Sequence, residues 1–467
     1  MTKAPRAPAC CALTRRQFLR NAAYGAAVLG MGNLLGACSV SEEIGPFLTS
    51  TWRTRTPAPF VRHAHSGSPS GSRLLVMGDR RGVNLREGEG QQALGPPQLT
   101  VEIDSREFGF TPDELDVPSG VPVRIIFHNS GAVDHDFVIP SAGVYVRARP
   151  GESQEVIAVF REPAVYFCSI GGHADVGMVG ELKVDGVAPT DQTVPHSDGV
   201  TEMWWYDPSS DTFARAPDLP HAFDHVSFVS VDEAVFSIGG YTGDIGTSRG
   251  DVWVLRAGAG AWERRADLPR PRGAMAVGTD GSRIFCTGGR SEAEGTPSAQ
   301  DVFTYDPSAD KWEVLSTALP TGRDHVAGVV IDNVFWVVGG RGDGRRVSST
   351  PVVEGLDLET REWKFGSRLP VPESAGGVVS INGRVVVFGG EGPAPTPTGA
   401  AGRSFLTYQA VNAYDPATDT WARVAEMPVG VHHPAYGVIA DRLYAIGGGD
   451  RSGVSATDHT QELTIDA

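Results

Sequence analysis

Four side chains stand out as chemistry-bearing. Cys168, His173 and Met178 follow one another as Cys-x4-His-x4-Met, and the fourth, His135, lies upstream of them, itself preceded by Asn129. A thiolate and imidazoles are strong donors to a transition metal, and a thioether is a weak one. Soft sulfur favours Cu(I) and imidazole suits Cu(II), so a geometry between their preferences lowers the reorganisation that accompanies electron transfer. For metals other than copper a single thiolate is weak evidence.

These residues must be held by strands. Residues 97–187 contain short alternating apolar runs separated by Pro and Gly, among them LTVEID, VPVRIIFHN and GELKVDG. That pattern predicts a β-sandwich. The stretch from Phe108 to Ile139 resembles the N-terminal half of a cupredoxin, and YFCSIGGHADVGMVGELKV (Tyr166 to Val184) resembles its ligand loop. The resemblance implies a mononuclear type 1 copper site with His135, Cys168, His173 and Met178 as ligands, Met178 being axial and the outer edge of His173 the electron port. Two absences narrow the chemistry. Gly172 stands where a binuclear copper-A centre would need a second cysteine. Phe167 and Ser169 flank Cys168, so the adjacent His that wires copper nitrite reductases and multicopper oxidases to a second copper is missing.

The rest of the chain is periodic, the first thing to look for in a long sequence. Diglycines at Gly239, Gly288, Gly339, Gly389 and Gly447 each end a short apolar run, and Pro220, Pro269, Pro320, Pro370 and Pro428 each lie 19 residues earlier. Seven or eight residues before each proline is an aromatic (Phe213, Trp262, Trp312, Trp363, Trp421), and seven before that an apolar residue (Tyr206, Leu255, Tyr305, Leu356, Tyr414). Over roughly residues 201–467 this resembles kelch repeats, which implies four-stranded antiparallel blades closing into a propeller. Pro59 and Gly78 repeat the 19-residue interval with Asp79 in place of the second glycine, a degenerate further repeat whose Tyr position falls only at Tyr206. The fold expected is therefore all-β, a kelch-type propeller with a cupredoxin sandwich inserted between the second and third strands of blade one. The run Thr51 to Thr54 supplies the missing last strand and removes an open edge. Six blades are favoured; five blades with residues 50–95 irregular is the alternative.

The residue five after each repeat proline is His225, Ala274, His325, Ala375 and His433, with Ala64 in the degenerate repeat. In a six-bladed ring the histidines occupy blades two, four and six, the corners of a triangle about the channel. Three neutral imidazoles suit copper or zinc and leave a position open for a small ligand. Asp224 and Asp324 precede two of them and are candidate orienting partners. The competing reading is a set of loop-bonding polar residues, and His63, His65 and His432 are further candidates for the same mouth. Galactose oxidase also joins copper to a kelch-type propeller, but its radical cofactor needs a cross-linked Tyr and Cys. Cys286, the sole propeller cysteine, lies on a predicted strand and reads as buried core.

The N-terminus reads as a targeting segment. TRRQFLR, with Arg15 and Arg16, resembles a twin-arginine export motif, and Leu35-Gly36-Ala37-Cys38 resembles a lipoprotein cleavage box, so Cys38 is the expected lipidation site. A plain signal or an uncleaved anchor is the alternative. The expected layout is a signal over 1–38, a tether with degenerate first kelch elements over 39–96, a cupredoxin over 97–187 and a propeller over 188–467. Cys168 and Cys286 are then the only cysteines of the folded part, so cores rather than disulfides must stabilise it. A net charge of −16 argues against nucleic acid as a partner. The expected function is an exported, membrane-tethered copper redox protein passing single electrons between a redox partner protein or a small oxidant or reductant and the propeller face. The alternative is a copper-binding protein whose propeller docks a protein or glycan.

Overall fold

The computed structural model describes residues 50–59, 63–80, 95–169, 173–174, 177–190, 201–242, 247–291, 298–342, 348–395, 401–452 and 455–465. The expected export and lipidation residues Arg15, Arg16 and Cys38, and Gly172 in the Cys-His-Met loop, lie outside these.

Six antiparallel sheets with four-stranded blades surround a central channel. In blade one the strands His63–Ser70 and Arg73–Arg80 are followed in the sheet by Met203–Asp207 and Thr212–Ala216, so everything between Arg80 and Met203 is an insertion in the second-to-third-strand connection. The last blade is built from Ala435–Ile439, Arg442–Ile446, Thr460–Ile465 and the N-terminal strand Ser50–Thr54, which pairs with Trp52 opposite Leu463. Closure thus joins the two ends of the propeller sequence, and no blade is left with an unpaired lateral neighbour. Cys286 is fully buried in strand Ile284–Thr287 and packs in an inter-blade core; burial pushes its thiol pKa up.

The cores lie between neighbouring blades. One cluster joins Leu74, Val76 and Tyr206 of blade one to Ala435, Tyr444 and Ile446 of blade six. The repeat aromatics face each other across a hairpin, with ring centroids 4.7 Å apart for Tyr305–Trp312 and 5.1 Å for Tyr414–Trp421. The Trp312 and Trp421 indoles also donate across to the preceding blade, to the carbonyls of Ala266 and Ser367. The diglycines take left-handed backbone; four pairs directly follow the second strand of a blade, and Gly389–Gly390 lies within the strand Arg384–Pro395. A Cβ on Gly239 (φ 64°) would stand 2.3 Å from the Arg272 carbonyl of the next blade, so only glycine fits there.

A further joint uses the YDPxxD turns. The Tyr305 hydroxyl donates to Asp310, whose carboxylate also accepts from the Ala266 amide of the preceding blade, and Tyr206–Asp211–Thr56 and Tyr414–Asp419–Ser367 repeat the arrangement. These donors hold the Asp310 and Asp419 carboxyls below their usual pKa.

The inserted unit is a two-sheet sandwich. One sheet runs Ser153–Val159, Pro122–Asn129, Leu99–Arg106, Gly109–Thr111; the other runs Glu114–Val117, Val179–Val184, Ala164–Phe167, His135–Ile139, Val144–Ala148. Phe110, Phe127, Phe137 and Tyr166 fill its core.

Replacing Asp310 with Ala removes two hydrogen bonds of one joint and should destabilise the propeller by roughly 1 kcal/mol. Urea unfolding should show a lower midpoint with an unchanged slope. An unaltered midpoint would mean that the joint adds nothing.

Candidate functional site

Three donors converge at one end of the sandwich. His135 begins strand His135–Ile139, Cys168 follows strand Ala164–Phe167 and Met178 precedes strand Val179–Val184, so one end of one sheet presents them together. The Cys168 Sγ lies 3.3 Å from His173 Nδ1 and 4.0 Å from His135 Nδ1. Met178 is fully buried in the core that also contains Cys168. The loop between them is closed by backbone bonds: the Cys168 amide donates to the Met178 carbonyl and the Met178 amide to the His173 carbonyl.

The surrounding shell is polar and specific. Asn129 donates to the Val133 and Ala148 carbonyls and accepts from the Gly131 amide, fixing the loop that delivers His135. The Asp136 amide points at the Cys168 sulfur at 3.5 Å, and its carboxylate accepts from the Ser169 amide and hydroxyl. Burial raises the Asp136 pKa and lowers that of His135, which favours a neutral imidazole with a lone pair to give. Phe108, 44% exposed, stands edge-on to His173 with centroids 5.0 Å apart, so the less buried imidazole opens onto an apolar surface. The donor set, one thiol, two imidazoles and a thioether, suits a soft or borderline metal ion.

A second cluster sits on the propeller axis. His225, His325 and His433 precede the innermost strands of blades two, four and six and bring one ring nitrogen each to within 4.8 Å of one another. Their backbones, and those of Ala274 and Ala375 between them, are all left-handed, with φ from 47° to 59°. Adjacent members are hydrogen-bonded in a girdle: Ala274 amide to His225 carbonyl, Ala375 to His325, His433 to Ala375. A left-handed non-glycine residue is disfavoured, and the girdle offsets that cost while aiming the side chains inward. The orienting partners expected from sequence are present: His325 Nδ1 and His225 Nδ1 each lie 2.5 Å from the carboxylate of the preceding Asp. His432 does not line the channel. It is fully buried behind His433, with the two Nδ1 atoms 2.9 Å apart and its Nε2 2.8 Å from the Arg451 carbonyl. The side chains of His63 and His65 lie outside what is described.

The two clusters share a contact route that sequence reasoning missed. Arg451, in the second-to-third-strand connection of blade six, places its guanidinium 4.2 Å from the centre of the Tyr145 ring. Tyr145 packs with Val138 and Phe167, and Phe167 is the residue before Cys168. No periodic signal marks Tyr145 or Arg451, because their pairing depends on how an inserted domain sits on a blade.

The family model described as a cupredoxin-like domain matches residues 89–176, and the KLHDC2/KLHL20/DRC7 Kelch-repeats domain matches residues 225–448. The chain carries a cupredoxin-like domain and kelch repeats. The kelch part is similar to Kelch-like protein terF of Aspergillus terreus, 28% identical over 55% of this chain and 56% of that protein. It is also similar to alpha-scruin of Limulus polyphemus, 29% identical over 40% of this chain and 21% of that one. The chain thus spans about half or less of these relatives. A solved structure titled "Structure of YjhT" aligns over 57% of this chain and 91% of that one, at 15% identity and a TM-score of 0.48.

Behind the axial cluster, a small cavity is lined by both His325 and Glu373. Burial raises the Glu373 pKa to about 8. A carboxyl raised above its unfolded value of about 4.3 keeps its proton in the folded protein, so stability falls as pH rises between those values, by up to about 1.4 kcal/mol per pH unit. Glu373→Gln should remove that slope. Urea unfolding of both proteins at pH 5, 6 and 7 measures it, and parallel stability curves would contradict a buried neutral Glu373.

Proposed function

We propose that this chain is an exported, lipid-anchored copper redox protein that passes single electrons through the cupredoxin-like domain. The observation that carries the reading is the convergence of His135 Nδ1, Cys168 Sγ and His173 Nδ1, with Met178 buried beside them. Copper bound there supplies a one-electron couple whose surroundings change little between its oxidation states.

The chain's own residues account for the rest. Asn129 holds the His135 loop, so the donors are arranged before any metal arrives. The Asp136 amide, aimed at the sulfur, withdraws charge from the thiolate and raises the potential. His173, beside exposed Phe108, is the exchange point for a redox partner protein or a small oxidant or reductant. The acceptor is a substrate or second metal at the propeller face, a reading supported by the Tyr145–Arg451 contact.

Export and anchoring rest on Arg15, Arg16 and Cys38. A diacylated Cys38 carries more than one acyl chain, which suffices for stable attachment to a membrane. The likeness to scruin and other kelch proteins favours a second reading, in which the propeller docks a protein partner and the copper serves that complex.

Copper-loaded, oxidised protein should absorb near about 600 nm, as expected for a copper–thiolate bond of this type, and Cys168→Ser should abolish the band. A fully loaded protein without it would refute the reading.

A further inference from the structure

The triad on the propeller axis is arranged in a way that loop bonding does not require. His225 Nε2 and His325 Nε2 face each other at 3.1 Å. The Nδ1 side of each ring already has a partner. His325 Nδ1–H donates to Asp324, and His225 Nδ1 lies against Asp224 at 2.5 Å. His432 Nε2–H donates to the Arg451 carbonyl, which leaves its Nδ1 as acceptor for His433 Nδ1–H. These bonds set His325 and His433 in the tautomer whose Nε2 lone pair points inward, and the Asp224 contact favours the same tautomer of His225. Neutral nitrogens aimed at one another repel unless a cation lies between them. This orientation of an imidazole through its far nitrogen is the arrangement that metal-binding histidines use.

We propose that His225, His325 and His433 form a second copper site, with Asp224, Asp324 and His432 as positioning residues that set the ligand tautomers. The site closes one end of the channel, a cavity of about 330 Å³ whose wall includes all three histidines together with Val226, Val329 and Val378. Among the described residues that wall holds no Lys, Arg, Asp or Glu. A fourth coordination position facing such a cavity would be open to a small ligand.

The two metal sites are joined by unbroken contact. From Cys168 the route runs through Phe167 and Tyr145 to Arg451, then by hydrogen bonds through His432 to His433. This part of the proposal rests on the redox reading of the cupredoxin-like domain; the metal site does not.

The test uses the full chain loaded with Cu(II), washed with a weak chelator and analysed for metal and by electron paramagnetic resonance. Wild type should hold two coppers. Cys168→Ser should hold one, with no blue band and a resonance of ordinary hyperfine splitting. His225→Gln/His325→Gln should hold one with the blue band intact, which also shows that the double variant folds. His432→Ala should keep the blue band but bind the second copper at least tenfold more weakly. A Cys168→Ser protein that retains no copper, or a His225→Gln/His325→Gln protein that still holds two, would overturn the proposal. A wild type with one copper and no blue band would instead sink the type 1 reading and leave the axial site standing.

Discussion

The pairing of Ser50–Thr54 with Thr460–Ile465 is the constraint on which the rest depends. Five repeats and a fragment would otherwise form an open arc with no common axis. Closure makes the innermost strands equivalent about one line and forces the residue before each of them to face the same point. The axial histidines meet because the ring is shut, although each is more than 90 residues from the next. The left-handed girdle then converts symmetry into aim, at a steric cost that the blade-to-blade hydrogen bonds offset.

The sandwich solves the positioning problem differently. Its donors come from a strand start, a strand end and the loop between two paired strands, and the core behind them is aromatic and tightly filled. Precision there comes from sheet register and from Asn129 and Asp136, which tie the two donor-bearing segments to neighbouring backbone. In the propeller it comes from repetition. One chain therefore builds two clusters of side chains that could hold a metal ion by unrelated means.

Much of this was legible in the residues. The 19-residue interval gave the blade frame, including the degenerate copy at Pro59 and Gly78, because proline and glycine mark backbone states that side-chain variation does not blur. The alternation of His and Ala five residues after each proline was visible for the same reason. Contacts between separately folded parts were not legible. Tyr145 and Arg451 obey no period, and neither residue type signals the other at a distance of some 300 positions. The YDPxxD joints were present as three near-copies, yet only the structure showed that each carboxylate bonds the preceding blade. His432 was a further candidate for the same mouth; instead it is buried behind His433, held by its Nδ1 contact to His433 and its Nε2 contact to the Arg451 carbonyl.

The site of the insertion has a kinetic meaning. The cupredoxin-like domain enters after Arg80 and leaves before Met203, so it is stitched at both ends to adjacent strands of one sheet. A domain held at two neighbouring points samples a smaller volume than one hung from a single linker. Any exchange between it and the propeller would therefore be intramolecular and independent of dilution.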